Sequence, residues 1–400
     1  MWAKILSTVF VRGYAAIANL ILVMVTAKIL GAEVRGEIAL VILGVTIIGM
    51  FQAIIGGPSL TYFASKRTLK SLIINSTVWS VLAGSTIGLF ISFIELSPWH
   101  FVWLLITIAV TQGIVTAQHS YLVGREKVFL YGALDAIRTT ILWSYVIIRF
   151  FVFKSQSIDE VLLAYVFANA LTVFLGFVVL FRNDFSITGE QPASLNEMFR
   201  YGSQIQLNNL SQLFNYRYVF YVVEKLKGTE ALGVFSVAVA VAESIWIICK
   251  SIATIQLSRL VNVKEITEQR KITLKLAVTS VTATVLATVI ILVIPDTFYT
   301  YLFGKDFSQI SGIILWFSPA ILLLSFYTIL NHYFIARNEN WTNIKASIFG
   351  NILLLISSNM LIIHYSLAGA ALVYGIAYLG ISGYLLVMFM KRPPYLSAKD

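Results

Sequence analysis

Several stretches of this chain run for the thickness of a bilayer or more without a single charged residue. Three of them lie between Lys70 and Glu95, between Glu160 and Arg182, and from Ala346 to Met390. A helix needs about 20 mostly apolar residues to cross the hydrocarbon layer. The third stretch is too long for one crossing, and the pattern predicts a hairpin folded at His364-Tyr365-Ser366. Over the whole 400 residues, 58% are apolar and 12% charged. Soluble domains carry about 25% charged residues, so lipid has to cover much of the apolar surface. Strands of a membrane barrel would alternate apolar and polar residues; the continuous runs here exclude them. The expected class is therefore all-α and polytopic. Breaks at charges, Pro and Gly predict about twelve spans: 5–27, 37–57, 71–94, 100–122, 129–151, 160–181, 201–223, 231–252, 273–294, 309–332, 343–363 and 368–390.

The net charge of +10 would suggest nucleic acid in a soluble protein. Here the cations sit between apolar runs and read as topology. With both termini cytoplasmic, 18 Lys and Arg fall on the inner side against 7 outside, and Arg12, Arg138, Arg217 and Lys250 lie within spans. The N-terminal apolar run continues past Val25 without a cleavage site and reads as an uncleaved first span. Cys249 is the lone cysteine, which leaves no intrachain disulfide to form.

The chain also repeats itself. Gly31-Ala32-Glu33-Val34-Arg35-Gly36 follows the first span, and Gly228-Thr229-Glu230-Ala231-Leu232-Gly233 follows the seventh. Tyr121-Leu122-Val123-Gly124-Arg125 after the fourth span is matched by Tyr333-Phe334-Ile335-Ala336-Arg337 after the tenth. Two six-span halves entering from the same side form a parallel repeat of the transporter kind. The expected lobes are 1–182 and 201–400, joined by a cytoplasmic linker at 183–200.

These turns carry a family resemblance. Ile29-Leu30-Gly31-Ala32-Glu33-Val34-Arg35-Gly36, its echo from Gly228 through Ala238 with Glu243 beyond, and Leu302-Phe303-Gly304-Lys305-Asp306-Phe307 resemble the Wzx-type O-antigen flippases. Those belong to the multidrug/oligosaccharidyl-lipid/polysaccharide (MOP) exporter superfamily. The resemblance spans nearly the whole chain and implies two parallel six-helix lobes around a central cavity, in a bacterial inner membrane. It implies movement of an undecaprenyl-diphosphate-linked oligosaccharide to the outer leaflet by alternating access. The implied partners are that lipid-linked oligosaccharide, membrane lipid, a polysaccharide polymerase and a chain-length regulator, with no nucleic acid. Relatives often carry an acidic residue after the Arg of the seventh span. Tyr218-Val219-Phe220 stands there instead, so no ion pair is carried over for Arg217.

An ionised side chain at mid-membrane costs about 2.5–3.5 kcal/mol on insertion scales and usually faces a cavity or a partner. In the seventh span Gln204, Asn208, Ser211, Gln212 and Asn215 recur at helical spacing, widened by Gln206, Asn209 and Arg217. Such amides suit a sugar's hydroxyls, or else bond between packed helices. Arg217 at depth matches a diphosphate, because its fork of donors fits phosphate oxygens. In the first span Thr8, Arg12 and Asn19 share a face, with Arg12 either lining the cavity or snorkelling to headgroups. Asp135 and Arg138, three apart on the fifth span, can neutralise each other. Glu243 is the clearest acid standing alone at depth. It is a candidate site for H+ or Na+ coupling, as is Asp135, with pairing to Lys250 or Arg217 as the other reading. Pro319 should kink the tenth span, and Gly369, Ala371, Gly375 and Gly380 read as close helix packing.

Neither a Walker loop nor metal-spaced His residues occur, so the sequence points to a transporter without a cofactor and not to an enzyme. A drug exporter on the same fold would favour buried acids over this Arg-rich set. A polysaccharide polymerase or ligase would need a large outer loop, which no predicted loop provides.

Overall fold

The computed structural model describes residues 2–94, 97–182, 191–260, 262–263, 265–337 and 339–391, with the backbone alone at 2–13, 15–16, 204, 208 and 258. It contains no strand among the described residues. Helix is what a lipid-facing chain must adopt, since it satisfies every backbone N–H and C=O within the segment. Eight of the helices are long and apolar enough to cross a membrane by length and composition. Three of these are far too long to cross once: α1 (Trp2–Gly56), α7 (Leu195–Leu260) and α11 (Asn340–Lys391). Straight, the 66 residues of α7 would reach about 100 Å, roughly three times the hydrocarbon thickness.

Each long helix is broken once, at a residue with positive φ. Gly31 has φ 80° and ψ 178°, Gly228 has φ 86° and ψ 173°, and Ser366 has φ 52° and ψ −132°. At Gly31 and Gly228 the missing Cβ makes that conformation accessible. The chain then doubles back. In α11 a Cβ on Gly369 would meet the Leu361 carbonyl oxygen at 2.0 Å, and one on Gly380 would meet Leu353 at 2.3 Å. These pairs fix an antiparallel hairpin of closely packed legs, with the break inside the expected His364-Tyr365-Ser366 turn. Gly375 departs from the packing expectation, because nothing lies within 4 Å of where its Cβ would be.

The other five are single helices: α3 (Leu69–Phe93), α4 (Val102–Gly124), α6 (Ile158–Arg182), α8 (Ile266–Val293) and α10 (Ile310–Ala336). α5 (Val128–Ile147, continued as a π turn over Ile148–Val152) covers the expected fifth span but is not apolar enough to count among the eight. Pro319 lies inside α10, which runs unbroken through it. Short α2 (Pro58–Phe63) follows the Gly56-Gly57 stop, and α9 (Asp296–Phe303) precedes α10. Counting each leg of α1, α7 and α11, every one of the twelve expected spans is a helix.

The chain divides into two compact units. One comprises Met1–Leu30 and Val34–Leu210, the other Gly31–Glu33 and Ser211–Asp400. Within the first, Ile55, Leu60, Phe63, Leu72, Tyr121 and Met198 form one core and Val41, Ile48, Leu105, Ile108 and Leu162 another. Small residues admit polar staples between its helices. Gln52 donates to the Ser80 carbonyl at 2.9 Å beside Gly113, and Gln118 to that of Val173 at 3.0 Å beside Gly176. In the second unit, Ser280 and Ser325 bond at 2.8 Å between α8 and α10, and Phe235, Phe317 and Tyr374 pack together. Of the expected linker at 183–200, residues 195–200 belong to α7 and 183–190 lie outside the described residues.

The repeated turns share more than letters. Gly31 and Gly228 differ by only 6° in φ and 5° in ψ. Arg125 and Arg337, which end the second matching motif, cap α4 and α10 at φ −93° with ψ 10° and 6°.

Candidate functional site

In the second unit an ion pair forms across the hairpin of α7. Arg217 on the first leg meets Glu243 on the second, with Nη2 3.1 Å from Oε1. The hairpin brings them together because they stand on its opposite legs, 11 and 15 residues from the Gly228 break. Both side chains keep access to the surroundings, at 28% and 43% exposure. Lipid cannot solvate such a pair, so this face requires water or protein. Of the two readings left open for Glu243, a lone acid or a pair with Lys250 or Arg217, the geometry is that of the pair with Arg217. The sequence-distant carboxylate supplies what the residues following Arg217 do not.

Below the pair, Trp246 and Lys250 follow Glu243 at helical spacing. The Lys250 ammonium stands 3.7 Å over the Trp246 ring, whose Nε1 donates to Thr328 Oγ1 at 3.0 Å. Tyr216 packs against Trp246 at 5.1 Å between ring centroids, and the Tyr374 hydroxyl donates to the Tyr216 carbonyl at 2.6 Å. Charged groups thus sit on an aromatic floor fixed by hydrogen bonds. The sequence signal for that floor was weak, since aromatics are plentiful throughout the chain.

The amide stripe of α7 divides. Ser211 donates to Ser347 Oγ at 2.9 Å, and Asn215 donates to the same hydroxyl at 3.0 Å. Asn351 reaches back to Ser211 Oγ at 3.0 Å. Asn215 is only 3% exposed, and its Nδ2 joins α7 to α11, which favours the helix-to-helix reading of the stripe over cavity lining at this position, although its Oδ1 is buried without a hydrogen-bond partner. Gln206 is buried and accepts from Asn209 at 3.0 Å. Gln212 is half-buried. The side chains of Gln204 and Asn208 lie outside the described residues, as does that of Arg12.

In the first unit Asn19 is exposed on α1. Arg138 and Asp135 pair at 3.0 Å along α5, as their spacing predicts. Nearby, Tyr14 and Thr140 share a 2.6 Å hydrogen bond and Trp143 donates to the Tyr14 hydroxyl at 3.3 Å, tying α1 to α5. At the far end of α5, Glu160 accepts from Arg149, Ser155 and Tyr145 in a closed cluster.

Solved structures match this architecture over nearly the full chain. A multidrug resistance MATE family transporter of the MOP superfamily aligns at 15% identity with a TM-score of 0.76, over 94% of this chain and 93% of that one. The fold is that of the MATE transporters. A Vibrio cholerae MATE transporter aligns at 13% identity and TM-score 0.67, covering 97% and 96%. A MOP superfamily transporter from Pyrococcus furiosus aligns at 16% identity and 0.63, covering 97% and 94%. The model of the Lipid II flippase MurJ family matches residues 231–399. No curated protein matches the chain. This protein is accordingly a multi-pass membrane protein of MATE-like fold. Its polar site lies partly within the flippase-like segment, which contains Glu243, Trp246 and Lys250 but not Arg217.

Proposed function

We propose that the protein is a flippase for a lipid-linked anionic glycan, working by alternating access between two six-helix lobes. The expected cargo is an undecaprenyl-diphosphate-linked oligosaccharide destined for surface polysaccharide. The observation that carries this reading is the half-exposed Arg217–Glu243 pair on its aromatic floor. An arginine held in place by a carboxylate can exchange that partner for a diphosphate, and the rings offer apolar faces to sugars. The match of residues 231–399 to a lipid flippase family supports the class. Both termini on the cytoplasmic side of a bacterial inner membrane, with a polymerase and a chain-length regulator as neighbours, complete the proposal.

The test is flipping of a fluorescent undecaprenyl-diphosphate oligosaccharide in proteoliposomes, with lipid II and a cationic drug as parallel cargoes. Transport of the oligosaccharide that Arg217→Ala abolishes supports the reading. Transport of the drug alone favours a multidrug exporter, the reading supported by the MATE structures. Transport of lipid II alone would keep the flippase and replace the glycan.

A further inference from the structure

A second polar concavity lies at the predicted inner end of the first unit. It is an open pocket of about 870 Å³ whose wall includes Tyr62, Lys66, Arg67, Glu197, Arg200 and Tyr201. The pocket is built rather than incidental. Tyr62 and Tyr201 stack at 4.4 Å, and the Lys66 ammonium lies 3.5 Å over the Tyr62 ring. Arg67 grips Glu197 through both carboxylate oxygens at 2.8 and 3.1 Å. Ser59 donates to the Met198 carbonyl at 2.9 Å, Asn75 to that of Ala193 at 3.0 Å, and Gly202 lies so near Ile54 that a Cβ would meet its carbonyl oxygen at 1.7 Å. The start of α7 is therefore fixed in place against α1, α2 and α3.

The charge balance leaves a cationic excess. Glu197 neutralises Arg67, while no ion pair engages Lys66 or Arg200 among the described residues. Both are exposed. The first turns of α7 are two-faced. Leu195 and Phe199, one helical turn apart, are 44% and 39% exposed, and Asn196 and Arg200 occupy the adjoining face. Apolar side chains beside cations and tyrosines are the arrangement of a segment seated at the membrane–water boundary.

The geometry assigns this pocket to the phosphate headgroup of an anionic phospholipid of the inner leaflet. Lys66 and Arg200 face the phosphate, Tyr62 and Tyr201 wall the headgroup, and Leu195 and Phe199 lie along the acyl chains. A soluble phosphate would use the cations and leave uncovered the exposed parts of Leu195 and of Phe199, which packs edge-on against Trp79 at 5.5 Å, beside the pocket. The assignment needs only the membrane reading and stands whatever the transported cargo is.

The experiment is lipid binding by the purified full chain in detergent, read by native mass spectrometry with phosphatidylglycerol, phosphatidylcholine or inorganic phosphate. The wild type should retain phosphatidylglycerol in preference to phosphatidylcholine, and millimolar inorganic phosphate should not displace it. Lys66→Gln with Arg200→Gln should weaken phosphatidylglycerol binding roughly 30-fold, given the usual contribution of a basic side chain at an anionic surface. Should the double variant fail to accumulate, Arg200→Gln alone should weaken it roughly 5-fold by the same reckoning. Unchanged binding in the variant, or equal retention of phosphatidylcholine, overturns the assignment. Displacement by inorganic phosphate makes the pocket a soluble-anion site and overturns it equally.

Discussion

The turns at Gly31 and Gly228 have nearly the same backbone, yet the hairpins they close carry different chemistry. The two glycines stand 197 positions apart. Carried along the legs, that offset sets Arg217 opposite Leu20 and Glu243 opposite Thr46. The second hairpin has an ion pair where the first has an aliphatic residue and a hydroxyl. The offset between Arg125 and Arg337, 212 positions, places Asp135 opposite Ser347 and Arg138 opposite Gly350. There the charges belong to the first unit. Polar ties between the first and fifth helices of each unit persist in both, as Tyr14–Thr140 in one and Ser211–Ser347 in the other. The turn backbone was kept and each unit ties its first helix to its fifth, from matching positions on the first helix but different ones on the fifth, while the charges diverged. A turn conformation is demanded by folding in either copy, whereas a charge at span depth costs stability and persists where it serves a purpose.

That contrast can be broken most directly at Arg217. If the second hairpin holds the working charge, Arg217→Ala should lower flipping by about 10- to 100-fold, the worth of a charge-assisted contact. Membrane accumulation should stay near wild type; the proteoliposome assay and immunoblotting read both. Exchanging the charges, with Arg217→Glu and Glu243→Arg together, should leave accumulation near wild type but not restore flipping. Recovery of flipping by the exchange would make the pair structural and erase the distinction between hairpins.

The likeness of the turns is sharpened by Gly31→Ala and Gly228→Ala. Each forces a Cβ into a left-handed backbone and should cost about 1–2 kcal/mol, measured by unfolding in mixed micelles. A much smaller loss at either glycine would mean that the shared conformation is not required there.

Asn215→Ala should cost about 1 kcal/mol in the same measurement, within the range found for hydrogen bonds between membrane helices. A double-mutant cycle with Ser347→Ala should recover most of that as coupling. Absence of coupling would return Asn215 to the list of cargo contacts. The smallest effect is expected for Asp135→Asn with Arg138→Gln, which removes both charges of a helical i, i+3 pair worth about 0.2–0.5 kcal/mol. A flipping defect from that double variant would give the first unit a charge-dependent role equal to that of the second.

The order and extent of the helices were legible in the chain, as were the three hairpins, because lipid leaves an apolar segment little choice but to satisfy its own backbone. Asp135 and Arg138 were legible as a pair because three residues along one helix fix their distance. For Glu243 the sequence left a lone acid and a pairing with Lys250 or Arg217 both open, since Glu243 approaches Arg217 only when the chain doubles back at Gly228. Nor could spacing decide between cargo and glue for Asn215, because a stripe of amides shows one face of a helix without showing what stands opposite. The inner pocket was invisible for the same reason: Tyr62 and Lys66 lie far along the chain from Arg200 and Tyr201. Composition and periodicity determined that this protein lives in a membrane as a dozen helical crossings with a repeated turn. Only the tertiary structure decided which polar residues spend their bonds on each other, because that depends on distances between helices that no single helix encodes.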